Sequence, residues 1–160
     1  MKHGLALALL PFLLLPVAAG ATCLGNGTAP RLSAPVTGDI VTGFGMNVRT
    51  PQQGPRFHTG VDFAIPLGTS VRAAAAGEVT VAGNVGGYGQ YIRLRHEGGT
   101  ETAYAHLSAF DVKKGDCVAA GDVIGRSGNN GIGAMLHFEI LLNSRFLDPS
   151  VVLQRDARIP

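Results

Sequence analysis

The chain has 160 residues and a formal net charge of +2, so it suits one domain with a core of its own. Its densest basic spot is only Lys113 and Lys114, a solvated turn rather than the clustered basic face of a nucleic-acid binder, and no such partner is expected. In chain order, Lys2 and His3 precede the apolar run LALALLPFLLLPVAA, and small residues follow at Ala18, Ala19, Gly20 and Ala21. This is the layout of a secretory signal peptide over residues 1–20. The run is short for a membrane span and holds Pro11 and Pro16, so a permanent anchor is the poorer reading. The mature chain is expected to be exported, to the periplasm or the outside of the cell, with no stable membrane span. Residues 21–30, ATCLGNGTAP, read as a turn-rich linker. Gly20, Ala21 and Thr22 fit a lipid-attachment site poorly, and in an oxidising compartment Cys23 and Cys117 have an obvious partner in each other.

Residues 31–153 read as one all-β domain. Short β-type runs (VDFAI, EVTVAG, YIRLRHE, TAYAHLS, CVAA, DVIGRSG and MLHFEI) are separated by Gly, Asn and Asp signals, with no apolar stretch of helical period long enough for a substantial helix. The Gly-rich segment GNVGGYGQY, residues 83–91, reads as a tight hairpin, since a phosphate loop needs a helix after it. Residues 154–160 read as a polar tail.

Strand alternation separates the histidines. In MLHFEI, Leu136, Phe138 and Ile140 form an apolar face and Met135, His137 and Glu139 the other. In VDFAI, Val61, Phe63 and Ile65 oppose Asp62 and Ala64. In TAYAHLS, Ala103, Ala105 and Leu107 oppose Thr102, Tyr104 and His106. His96 shares its face with Ile92 and Leu94 and reads as structural. The run RFHTGVDF sets His58 four residues before Asp62 with Gly60 between them. It is either a plain turn or half of a metal clamp, and the clamp requires a bend at Gly60, because four extended steps span about 13 Å. Three histidines and an aspartate on compatible faces make a metal site as plausible as bystander residues.

At these residues the chain resembles the M23 family of zinc metallopeptidases, the lysostaphin and LytM type that cuts peptide bonds in bacterial peptidoglycan. The likeness runs from about Gly43 to Leu153, through R-x-HTGVD at Arg56 to Asp62, P-x-GT-x-V-x-A at Pro66 to Ala73 and GGYG at Gly86 to Gly89. It continues through TAYAHLS at Thr102 to Ser108, G-x-x-V-x-x-GD-x-IG at Gly115 to Gly125, and LHFE from Leu136. The resemblance implies a compact antiparallel β-sheet domain, duplicated-hybrid-motif-like, with a substrate groove over one sheet. It implies that His58, Asp62 and His137 bind one zinc, that His106 is catalytic, taking a proton from the water or donating a hydrogen bond to the developing oxyanion, and that Tyr104, two residues from it on the same face, supports it, with Glu139 and Met135 beside His137. The substrate implied is the peptide of peptidoglycan.

One position departs from the family. Active members carry H-x-H where this chain reads Met135-Leu136-His137, and a thioether neither shuttles protons nor donates to an oxyanion. The expectation is therefore a zinc metallopeptidase, a hydrolase of reduced activity. The alternative is a non-catalytic exported module that holds zinc or wall peptide and regulates another cell-wall hydrolase as its partner. A biotinyl or lipoyl carrier, suggested by AAGEVTVAG and VKKGDCVAAGDVIG, lacks the exposed lysine in an attachment motif.

Overall fold

The structure, a computed structural model, describes residues 23–24, 27–50 and 54–157. The expected signal peptide lies outside the described residues. The strands, in order, are β1 (Asp39–Thr42), β2 (Asn47–Thr50), β3 (Gly54–Phe57), β4 (Val61–Ala64), β5 (Ser70–Arg72), β6 (Gly77–Val85), β7 (Gly89–Arg95), β8 (Thr100–Phe110), β9 (Cys117–Val118), β10 (Val123–Asn129), β11 (Ala134–Leu142) and β12 (Arg145–Leu147). A helix, α1 (Pro149–Ala157), follows. The pairings are antiparallel throughout. Ten strands form one sheet whose main path runs β1-β4-β11-β10-β8-β7-β6-β9, and β2 and β3 form a separate hairpin.

The apolar alternation seen in the sequence sorts these strands onto a core. Val61 and Phe63 from β4, Leu136, Phe138 and Ile140 from β11, and Ile92 and Leu94 from β7 are all buried in one cluster, joined by Val71, Val79 and Ile124. Each such side chain contributes on the order of 1.5–3 kcal/mol relative to exposure. A smaller cluster of Tyr91, Ala103 and Ala105, flanked by Tyr88, covers the opposite face. The Gly-rich segment is the β6–β7 hairpin, closed by a hydrogen bond from the Tyr88 amide to the Val85 carbonyl.

Helix α1 has no counterpart in the sequence reading, and it carries the chain past Leu153, where the tail was expected to begin. Its start is explained locally: the Asp148 carboxylate accepts from the Ser150 amide and hydroxyl, and Pro149 opens the helix where no amide partner is needed. Val152 and Leu153 then pack on the core. At the other end, Leu32 is buried, the Ser33 amide donates to Ala74, and a disulfide joins Cys23 to Cys117 on β9, the pairing expected from the two cysteines. Among the described residues no helix is long and apolar enough to cross a membrane.

Candidate metal centre

β4 and β11 lie side by side with Asp62 directly opposite His137, and the turn between β3 and β4 brings His58 back over the pair. That turn contains the bend at Gly60. A Cβ there would stand 2.2 Å from the Phe138 carbonyl oxygen, so only glycine lets the turn press this closely onto β11. His58 Nε2 is 3.1 Å from Asp62 Oδ1 and 3.1 Å from His137 Nδ1, and His137 Nδ1 is 2.8 Å from Asp62 Oδ1. All three residues are almost wholly buried.

The surroundings fix which ring nitrogen faces the centre. His58 Nδ1 lies 2.9 Å from the Gly43 carbonyl, which can only accept, so Nδ1 carries a proton and Nε2 offers its lone pair inward. His137 Nε2 lies 3.2 Å from Glu139 Oε1 and donates to it, leaving Nδ1 to face Asp62. Glu139 is itself held by the hydroxyls of Thr59 and Tyr88 on the same oxygen, while Oε2 is buried without a protein donor. Burial pushes the Glu139 carboxyl up, but the bonds from His137 and Thr59 outweigh it and hold it below its ordinary value. Burial likewise pushes Asp62 up, yet the two imidazoles bring it well below the usual carboxylate range. For His137, burial works downward and the bonds to Asp62 and Glu139 overcome it, raising the pKa to about 9. The set therefore favours positive charge at its centre, whether a proton or a cation.

Zinc fits this donor set. Tetrahedral zinc with ligands at about 2.0–2.2 Å spaces them about 3.3–3.6 Å apart, so the three atoms need move by only a few tenths of an ångström. Two imidazoles and one carboxylate are ligands of its preferred kind, and three protein donors leave one position open, as in catalytic rather than structural zinc sites. The second hydrogen bonds, from the two imidazoles to the Gly43 carbonyl and the Glu139 carboxylate, are the orienting contacts such ligands require.

His106 faces the same cavity, with its ring 6.3 Å from that of His137. Simple alternation does not place it there. β8 pairs with β11 through Ala105, opposite His137, and with β10 from Leu107 onward, and its register against β7 shifts in the same place. The residue where β8 changes partner is His106, with φ of 57°. This bulge puts both Ala105 and His106 on the cavity side. Tyr104 is consequently not a neighbour of the centre, contrary to the sequence expectation. It is fully buried on the opposite face against Phe138, and its hydroxyl accepts from the Ala74 amide and bonds Thr102. His96 ends the same buried chain, bonded to Thr102 and the Ala76 carbonyl.

Met135 lies opposite Ala64 on the cavity face, where its side chain lines the wall. The cavity measures about 720 Å³ and is bounded by Val41, Arg56, Phe57, the Gly86–Tyr88 turn and the Asn130–Ala134 segment. Tyr88, Thr59 and Gly43 are participants that the sequence reading did not single out. Nothing in residue type or spacing marks a backbone carbonyl 15 residues from its histidine. Tyr88 was visible only as part of a hairpin motif.

Residues 56–149 match the profile of Peptidase family M23. The DD-carboxypeptidase/endopeptidase Mpg of Neisseria meningitidis is 48% identical over 96 residues, which are 59% of this chain and 22% of that protein. The chain thus spans less than a quarter of the length of that curated relative. A zinc-containing peptidase from Vibrio cholerae superposes with a TM-score of 0.67 at 32% identity, over 78% of this chain and 40% of that one. The catalytic domain of lysostaphin from Staphylococcus simulans gives a TM-score of 0.65 at 35% identity, over 72% of this chain and 92% of that one.

Proposed function

Because the chain belongs to peptidase family M23, we propose that it is a zinc-dependent metalloendopeptidase that hydrolyses peptide cross-links of bacterial peptidoglycan, with residues 31–153 as the catalytic unit. The observation that carries this reading is the meeting of His58 Nε2, Asp62 Oδ1 and His137 Nδ1 within one coordination sphere, under a cavity that His106 also faces. Export to the periplasm or cell exterior is part of the same proposal. It is supported by the disulfide, which suits an oxidising compartment, and by the leader-like residues 1–20.

A zinc ion held by these three residues supplies a Lewis acid that lowers the pKa of water and polarises the scissile carbonyl. His106 accepts a proton from the attacking water and delivers it to the departing amine. Burial, and then the neighbouring His137, lower its pKa against the pull of Asp62, so it is neutral and basic at neutral pH. Met135, which also lines the cavity, gives no second proton carrier. Adding a general acid-base group or an oxyanion donor typically changes rate by about 10² to 10⁴.

Zinc content and muropeptide release from purified sacculi test the proposal on the wild type, Met135→His and His106→Ala. Expected are zinc in all three, slow release by the wild type, release about 10²-fold faster with Met135→His, and loss of release with His106→Ala. A wild type that binds zinc and releases nothing until Met135→His is made would instead identify a non-catalytic module that regulates another wall hydrolase, the reading Met135 favours.

A further inference from the structure

The cavity over the metal ligands carries a cation that the fold does not use. Arg72, Arg93, Arg95 and Arg126 each donate to a partner within the sheet or its loops. Arg56, on β3, is exposed and lines the cavity, and its guanidinium has no hydrogen-bond or ion-pair partner among the described residues. Among the described lining residues, histidines aside, the only other charged side chain is Asp62, which is committed to the ligand set. Around the same opening stand three large apolar side chains turned outward: Val41 at 61% exposure, Phe57 at 59% and Ile132 at 86%. An exposed apolar rim around one unpaired guanidinium suits a ligand with small apolar side chains and a carboxylate.

We propose that Arg56 is a specificity-determining residue that pairs with a free carboxylate on the peptide residue flanking the scissile bond, while Val41, Phe57 and Ile132 cover the peptide around that pair. This rests on the peptidoglycan reading above and deepens it. A guanidinium and a carboxylate make two parallel hydrogen bonds, and covering them with apolar groups strengthens them beyond a surface ion pair. The chain thereby distinguishes cross-links whose flanking carboxylate is free from those in which it is amidated.

The test uses the zinc-loaded full chain and two probes: a purified cross-linked muropeptide dimer, and the same dimer with its carboxylates converted to carboxamides. Binding is measured by calorimetry and cleavage by chromatography, with zinc content as a check on each variant. The wild type is expected to bind and cleave the free-carboxylate dimer about tenfold better than the amidated one, with a preference that shrinks as salt is raised. Arg56→Gln removes the preference by weakening only the free-carboxylate form, and Arg56→Lys keeps part of it. Equal handling of both dimers by the wild type, or an undiminished preference in Arg56→Gln with normal zinc content, overturns the role of Arg56 and leaves the peptidoglycan reading standing. Binding of neither dimer by the zinc-loaded wild type overturns that reading and the inference with it.

Discussion

At the scale of single residues, His96 shows how a histidine is kept out of chemistry. It is 2% exposed, donates from Nδ1 to the Ala76 carbonyl at 2.8 Å, and its Nε2 shares a hydrogen bond of 2.7 Å with the Thr102 hydroxyl. Burial lowers its pKa from the ordinary 6.5, against weaker pulls from the Ala76 carbonyl and Glu101. Below pH 6.5 the unfolded chain takes up a proton that the folded ring resists, so stability is full above that pH and falls as pH drops from 6.5 toward the folded-state value. The slope from one such group is at most about 1.4 kcal/mol per pH unit. Melting temperatures measured between pH 7 and 5 should fall more steeply for the wild type than for His96→Gln. Parallel curves would show that this ring titrates alike in both states. The sequence alone assigned this histidine correctly, since its apolar face companions Ile92 and Leu94 point into the core.

At the scale of elements, β4 and β11 were legible and β8 was not. Strict alternation sent Asp62 and His137 to the cavity and their neighbours to the core, as observed. In β8 the same rule placed His106 correctly for the wrong reason and Tyr104 on the wrong face. The bulge arises from pairing with β11, β10 and β7, which are distant in sequence, and no local residue type announces it. Strands β1, β2, β3, β5 and β12, each three or four residues long, escaped for the same reason: their order comes from partners rather than from local propensity. The bulge is tight. A Cβ on Gly128 of β10 would stand 2.4 Å from the His106 carbonyl, and His106 itself holds a left-handed backbone conformation that costs a non-glycine residue on the order of 1–2 kcal/mol. His106→Gly should therefore raise stability by about 0.5–1 kcal/mol, a gain of a few degrees in Tm, while zinc content holds and turnover drops by about 10² or more. A variant less stable than the wild type would mean that the imidazole contributes more packing than the strain it causes.

At the scale of the whole molecule, the disulfide ties the segment before β1 to β9 at the outer end of the sheet, closing a loop of 94 residues. In the chain-entropy model a loop of that size stabilises the fold by about 4–5 kcal/mol. Cys23→Ser with Cys117→Ser, or reduction, should lower the denaturation midpoint accordingly while leaving zinc affinity unchanged, because no ligand strand touches that edge. A midpoint that does not move would show that the N-terminal segment is held by Leu32 and its backbone bonds alone.

The cross-strand placement of Asp62 and His137, 75 residues apart in the chain, has a further consequence for assembly. Sliding β4 by one step along β11 would turn the carboxylate to the other side of the sheet and split the donors. Capture of a cation at the proposed site would thus proofread the alignment of two remote segments, and a misaligned refolding product would be marked by its failure to take up metal.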